Sequence, residues 1–162
     1  MHRRSFIFGL GTAYGATAAF PVQAESSPTA PPDGLLAFAL DAVEAVLGYG
    51  GAGDWPSTAR FFTADRWKKY SDVVAASRSV KWVGDNAARS TARAERAVLT
   101  AALPGPVWRL AVPTRVETVQ SGAVVAAWDP VVHMAVVPVP GNEPARYLLR
   151  EFLVLPRHTG SD

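Results

Sequence analysis

Near Gly84-Asp85-Asn86 the hydrophobic period of this chain changes, and that change constrains the fold more than any single motif. Before it, apolar residues recur at spacings of three and four, the repeat of a helix face. After it they alternate, the repeat of a strand with one buried and one wet face. Helices first and strands afterwards predict an α+β domain, with N-terminal helices packed on a curved antiparallel sheet of about four strands.

Leu35, Leu36, Phe38, Ala39, Val43, Val46 and Leu47 share one broad face, with Asp41 and Glu44 opposite. This predicts a helix from near Gly34 to about Gly48, with Asp33 as its N-cap. The run GYGGAGDWP ends it, because clustered glycines and Pro56 do not continue helical hydrogen bonding cheaply. GYGGAG follows a helix rather than a strand, so its amides are not aimed at a phosphate and it reads as a linker. A second helical region is predicted over roughly Ser57 to Ser79, in one or two pieces, with Thr63 capping the second. There Arg66, Trp67, Tyr70, Val73 and Val74 recur at helical spacing. The aromatics Phe61, Phe62, Trp67, Tyr70 and Trp82 are predicted to close the open side of the sheet as core. Arg66, Lys68, Lys69 and Asp72 are left for solvent or a partner.

Four segments read as strands. TARAERAVLTAAL is the first, and VWRLAVPTRVETV the second, where Trp108, Leu110 and Val112 alternate with Arg109 and Ala111. Pro113 is expected to interrupt that strand as a bulge or an edge position. AVVAAWDPVVHMAVVPVP holds one long or two short strands, turning at Asp129-Pro130. ARYLLREFLVLP is the last, with Tyr147, Leu149 and Phe152 among its apolar residues.

The first 24 residues read as an export signal. A basic start with Arg3 and Arg4 precedes an apolar stretch from Phe6 to about Phe20, and Val22-Gln23-Ala24 is a small-residue cleavage site. Arg3-Arg4-Ser5-Phe6-Ile7 fits the twin-arginine pattern, and the mildly apolar stretch suits such a signal better than an uncleaved membrane anchor, the remaining alternative. Residues 25–33 form a Pro/Ser-rich spacer, residues 34–156 the folded domain, and residues 157–162 a polar tail. Of the sixteen Lys and Arg in 162 residues, two are Arg3 and Arg4, and the fourteen that remain match the fourteen Asp and Glu. A neutral body lacks the basic footprint that phosphate binding needs, so no direct nucleic-acid contact is expected.

Catalytic chemistry has little to stand on. The chain has no cysteine, which removes disulfides and thiolate metal sites. Beyond the signal its histidines are His133, in an apolar strand, and His158, in the tail, and no two ligands have metal spacing. No nucleophile elbow and no phosphate loop is present. Asp65, Asp72, Asp85, Glu95, Glu117, Asp129 and Glu151 are scattered, mostly beside basic residues. No catalytic, metal or cofactor-binding residue is assigned and no cofactor is expected.

Within this frame, FFTADRWKKYSDVVAASRSVKWV resembles the helical part of the DotI/IcmL/TraM family of type IVB secretion and conjugation systems. The matching residues are Phe62, Trp67, Tyr70 and the ending Ala76-Ser77-Arg78-Ser79-Val80, followed by Trp108, Leu110, Pro113 and Val116 in the next block. Val131 to Pro140 resembles the family's penultimate strand, and Leu149-Arg150-Glu151-Phe152-Leu153-Val154 its last. The resemblance runs from about Phe61 to Pro156. It departs where the family carries Asn-Pro-x-Gly-Ile and this chain has Asn142-Glu143-Pro144-Ala145-Arg146.

The resemblance implies a nuclear-transport-factor-2-like cone, similar to the periplasmic domain of VirB8-type assembly factors. It implies a non-enzymatic scaffold in the periplasm that contacts other secretion or conjugation subunits as a homo- or hetero-oligomer, with inner-membrane association left open. The alternative on the same cone is a small-ligand binder or an isomerase- or dehydratase-like enzyme. That reading needs His133, Tyr147, Tyr70 and Asp129 to converge inside the cone.

Overall fold

The computed structural model describes residues 30–50, 55–141 and 146–157. Helix α1 (Leu35–Leu47) buries Leu35, Ala39, Ala42, Val43, Val46 and Leu47, a stripe at spacings of three and four. Its start differs from expectation. Gly34, not Asp33, occupies the N-cap position, with φ 78 and no side-chain cap. The Leu35 amide donates to the Pro32 carbonyl at 3.1 Å, so Gly34 is the third residue of a tight turn that needs a left-handed backbone. That turn takes the place of a side-chain cap.

The second helical region is three pieces rather than one or two. A 3-10 segment (Trp55–Phe61) leads into α2 (Ala64–Ala75), and a separate α3 (Arg78–Asp85) follows. Thr63 stands at the N-cap of α2 in an extended conformation, its carbonyl accepting the Trp67 amide at 2.9 Å, while its side chain makes no capping bond. Ser77 stands likewise before α3. The Thr63 amide donates to the Leu149 carbonyl at 3.0 Å, and Phe62 bridges Leu149 in parallel. These bonds fix the helical segment to the sheet.

The sheet holds six antiparallel segments: β1 (Arg89–Ala94), β2 (Val98–Leu103), β3 (Val107–Gln120), β4 (Ala123–Trp128), β5 (Pro130–Pro138) and β6 (Tyr147–Pro156). The excess over four has one cause. β3 is long, and each of its flanking strands is broken once. β1 and β2 lie along one side of β3, β4 and β5 along the other, and β6 adds beyond β5. The first break, at residues 95–97, falls level with Pro113, and the second, at Asp129, two residues along β3, level with Arg115.

Pro113 does not interrupt its strand, contrary to expectation. On the β1/β2 side it falls between the pairs Ala111↔Val98 and Thr114↔Ala94, where the ladder changes partner and a missing N–H costs no bond. Its carbonyl accepts the Glu95 amide at 2.9 Å. The result is a curved sheet, not closed on itself, whose inner face packs on α1 and the 3-10 segment. Leu110, Val112, Thr114 and Val116 of β3 point inward, with Val132, Met134 and Val136 of β5 and Tyr147, Leu149 and Phe152 of β6 beside them.

Candidate interaction surface

Helix α2 and the bend before it bring four rings into one cluster. Phe62 stacks on Tyr70 at 4.8 Å between centroids, with Trp67 at 5.6 Å and Phe152 of β6 at 6.0 Å from Phe62. Tyr70 meets Phe152 edge-on at 5.6 Å. Such tilted and offset pairs add to the area they bury. Burial first, and Tyr49 second, push the Tyr70 hydroxyl far above the ordinary tyrosine range, so it stays protonated and is no base.

Trp108 belongs to a second cluster, edge-on to Tyr147 at 6.0 Å, and Phe38 joins Tyr147 to Phe61. Of the residues singled out by sequence, Phe62, Trp67, Tyr70, Trp108 and Phe152 therefore lie in or against the core, while Ser77 and Pro113 mark junctions between elements. Trp82 departs from expectation. It is half-buried on α3 and outside the side chains that pack on the main core, whereas Val80 of the same helix packs against that core. Arg3, Arg4, Phe6 and Ala24, the glycines of the linker at 51–53, His158, and the turn at 142–145 lie outside the described residues.

The four residues of an enzymatic reading are not brought together. His133 is exposed on the outer sheet face, level with Ala111 and Leu153. The buried Tyr147 ring donates its hydroxyl to the Asp33 carbonyl at 2.9 Å. Tyr70 is held in its aromatic cluster. Asp129 is exposed at the sheet break and accepts both bonds from Arg115 Nη1, at 2.8 and 3.1 Å. Among the described residues no group of three or more His, Asp or Glu is placed to hold a metal ion.

The surface offers something the sequence did not flag. Charged residues collect along the line where the flanking strands break. Arg115 also donates Nε to Glu117 at 3.3 Å, and Arg157 Nη2 donates to Glu95 at 3.0 Å. An open groove of about 320 Å³ lies at one end of this line, formed by Trp128, Asp129, Pro156 and Arg157. Beside it runs β4, whose Val124 and Val125 are exposed. No helix of the described residues is long and apolar enough to cross a membrane.

No family model matches the chain, and no curated protein matches it in sequence. Solved structures do. The periplasmic domain of DotI superposes with a TM-score of 0.68 at 20% identity, covering 81% of this chain and 99% of that one. An IcmL-like type IV secretion system protein from Legionella pneumophila gives 0.67 at 21%, covering 82% and 98%. A periplasmic fragment of TraM gives 0.62 at 17%, covering 74% and 93%. The chain shares the fold of these domains over nearly their whole length.

Proposed function

We propose that this chain is a periplasmic subunit of a type IVB secretion or conjugative transfer apparatus, of the DotI/IcmL/TraM family, and that it acts by protein–protein contact rather than catalysis. The observation that carries this reading is the superposition on the DotI periplasmic domain, which spans 99% of that domain. The family-like aromatic positions support it, since Phe62, Trp67, Tyr70 and Phe152 meet in one cluster that the fold needs. The dispersal of His133, Tyr147, Tyr70 and Asp129 weighs against the ligand-binding or enzymatic alternative. A neutral body argues for protein partners over DNA.

In this reading residues 1–24 direct export and are removed, residues 25–33 tether the domain, and the domain works in the periplasm beside the other subunits. Attachment to the inner membrane then comes through those subunits.

The test is a pull-down from membranes of the native host, with the N-terminus of the recovered chain sequenced in the same sample. Recovery of secretion or conjugation components with a chain beginning at Glu25 is the expected result. A chain recovered alone that takes up a small molecule would move the assignment to the ligand-binding alternative.

A further inference from the structure

Arg66 stands in the fold at a cost that nothing in the chain offsets. It is half-buried in the first turn of α2, and its Nε lies below the surface with no hydrogen-bond partner. A buried donor without an acceptor forfeits its hydration. A cation in the first turn also opposes the helix dipole, and the Thr63 side chain at the N-cap makes no bond that would soften this.

Other arginines of the fold are matched. Arg109, Arg115 and Arg157 meet Glu151, Asp129 and Glu95 at 4.0, 2.8 and 3.0 Å, whereas Arg66 forms no ion pair among the described residues. Arg109 gives the closest contrast. Its Nε is buried in the same way, but its Nη2 faces Glu151 across β5.

Spacings of three and four place Arg66, Lys69 and Val73 along one flank of α2. This flank lies between the inner stripe of Trp67, Tyr70 and Val74 and an outer ridge of Asp65 and Asp72. Lys69 is exposed and forms no ion pair among the described residues, and Val73 is 63% exposed.

We infer that this flank is the docking site for an acidic segment of a partner protein. An Asp or Glu of the partner pairs with Arg66 and Lys69, and an apolar side chain beside it covers Val73. A carboxylate that draws the guanidinium outward meets Nε and an Nη together, the two-point geometry that arginine favours. The charge pattern selects the class of partner. Two cations bordered by Asp65 and Asp72 accept one or two placed carboxylates, while those aspartates repel a phosphate backbone or a uniformly anionic bilayer. The inference rests on the protein-contact reading for where the partner is found; the site itself rests on Arg66.

Arg66→Met keeps an apolar stem and removes both the charge and the buried donor. Since the arginine serves a partner and not the fold, the purified protein should melt no lower with Met than with Arg. In the native host, p-benzoylphenylalanine in place of Val73 should cross-link to a protein whose attached peptide carries an Asp or Glu beside the linked residue. Arg66→Met in the same chain should cut that adduct about tenfold or more. An adduct with a secretion or conjugation subunit supports this site and the apparatus assignment together. An adduct with another protein through the same kind of acidic peptide supports the site and removes the apparatus assignment.

No adduct, an adduct indifferent to Arg66→Met, or a melt lowered by that change would overturn the inference. Arg66-dependent sedimentation with phosphatidylglycerol vesicles would overturn it too, since the occupant would then be a lipid surface.

Discussion

Leu149 and Phe152 both point into the core although they stand three residues apart on one strand. Leu149 pairs with Val136 and Phe152 with Met134, so β6 spends one more residue than β5 over the same span. That residue is Arg150, which is exposed. Strict alternation would have sent one of the two apolar side chains to solvent. The bulge instead joins the Leu149 contact with Phe62 to the Phe152 contact with Tyr70.

Deleting Arg150 while leaving every apolar residue in place tests this phase. The loss should turn either Tyr147 and Leu149 or Phe152 outward and destabilise the fold by more than about 3 kcal/mol. Arg150→Ala keeps the count and should stay within about 0.5 kcal/mol. Urea unfolding of the two variants decides it; equal effects would mean that the bulge does not set the phase.

Truncation of the aromatic cluster should be expensive at its centre. Phe62→Ala removes a ring that meets Trp67, Tyr70 and Phe152 at once, and about 3–5 kcal/mol is expected. The equilibrium unfolding midpoint reads it directly. A loss below about 1 kcal/mol would remove the cluster as the anchor of α2.

Tyr70 makes stability fall in alkali. Its hydroxyl is raised by burial and by Tyr49, so the neutral form is favoured in the fold. The stabilisation is complete below the unfolded-state value near pH 10 and is lost as pH rises above it, because there the unfolded chain releases a proton that the fold retains. The slope approaches about 1.4 kcal/mol per pH unit for one such group. Tyr49 and Tyr147 shift in the same direction and add to the loss. Comparing Tyr70→Phe with the parent between pH 9 and 11 isolates this share; parallel pH profiles would contradict it.

Gly34→Ala should cost about 1–2 kcal/mol. The added Cβ would meet Tyr147 at an ordinary 3.9 Å, so space is not the obstacle. The φ of 78 is the obstacle, since a side chain there is strained. Thermal melts of Gly34→Ala and Gly34→Asn check it, with Asn the milder of the two because it tolerates the left-handed region.

Much of this was local and therefore visible in the sequence. The stripe of α1 from Leu35 to Leu47, the switch of period near Gly84, the break at Asp129-Pro130 and the alternation through Trp108, Leu110 and Val112 each depend on residues within a turn or two of one another. They placed helices before strands and the aromatic stretch against the sheet. What depended on partners distant in sequence was not visible. Pro113 passes through the middle of β3 because β1 and β2 happen to part company at its level. Phe152 reaches the core because Arg150 bulges against β5. Trp82 stays outside the main core while Val80, two residues before it on α3, packs against that core. Exposure of Val124 and Val125 follows from the absence of a described strand beyond β4, and no pattern within AVVAAW distinguishes an edge from a centre. Periodicity reports which face of an element is apolar; which neighbour meets that face, and whether any does, is decided only when the strands are paired.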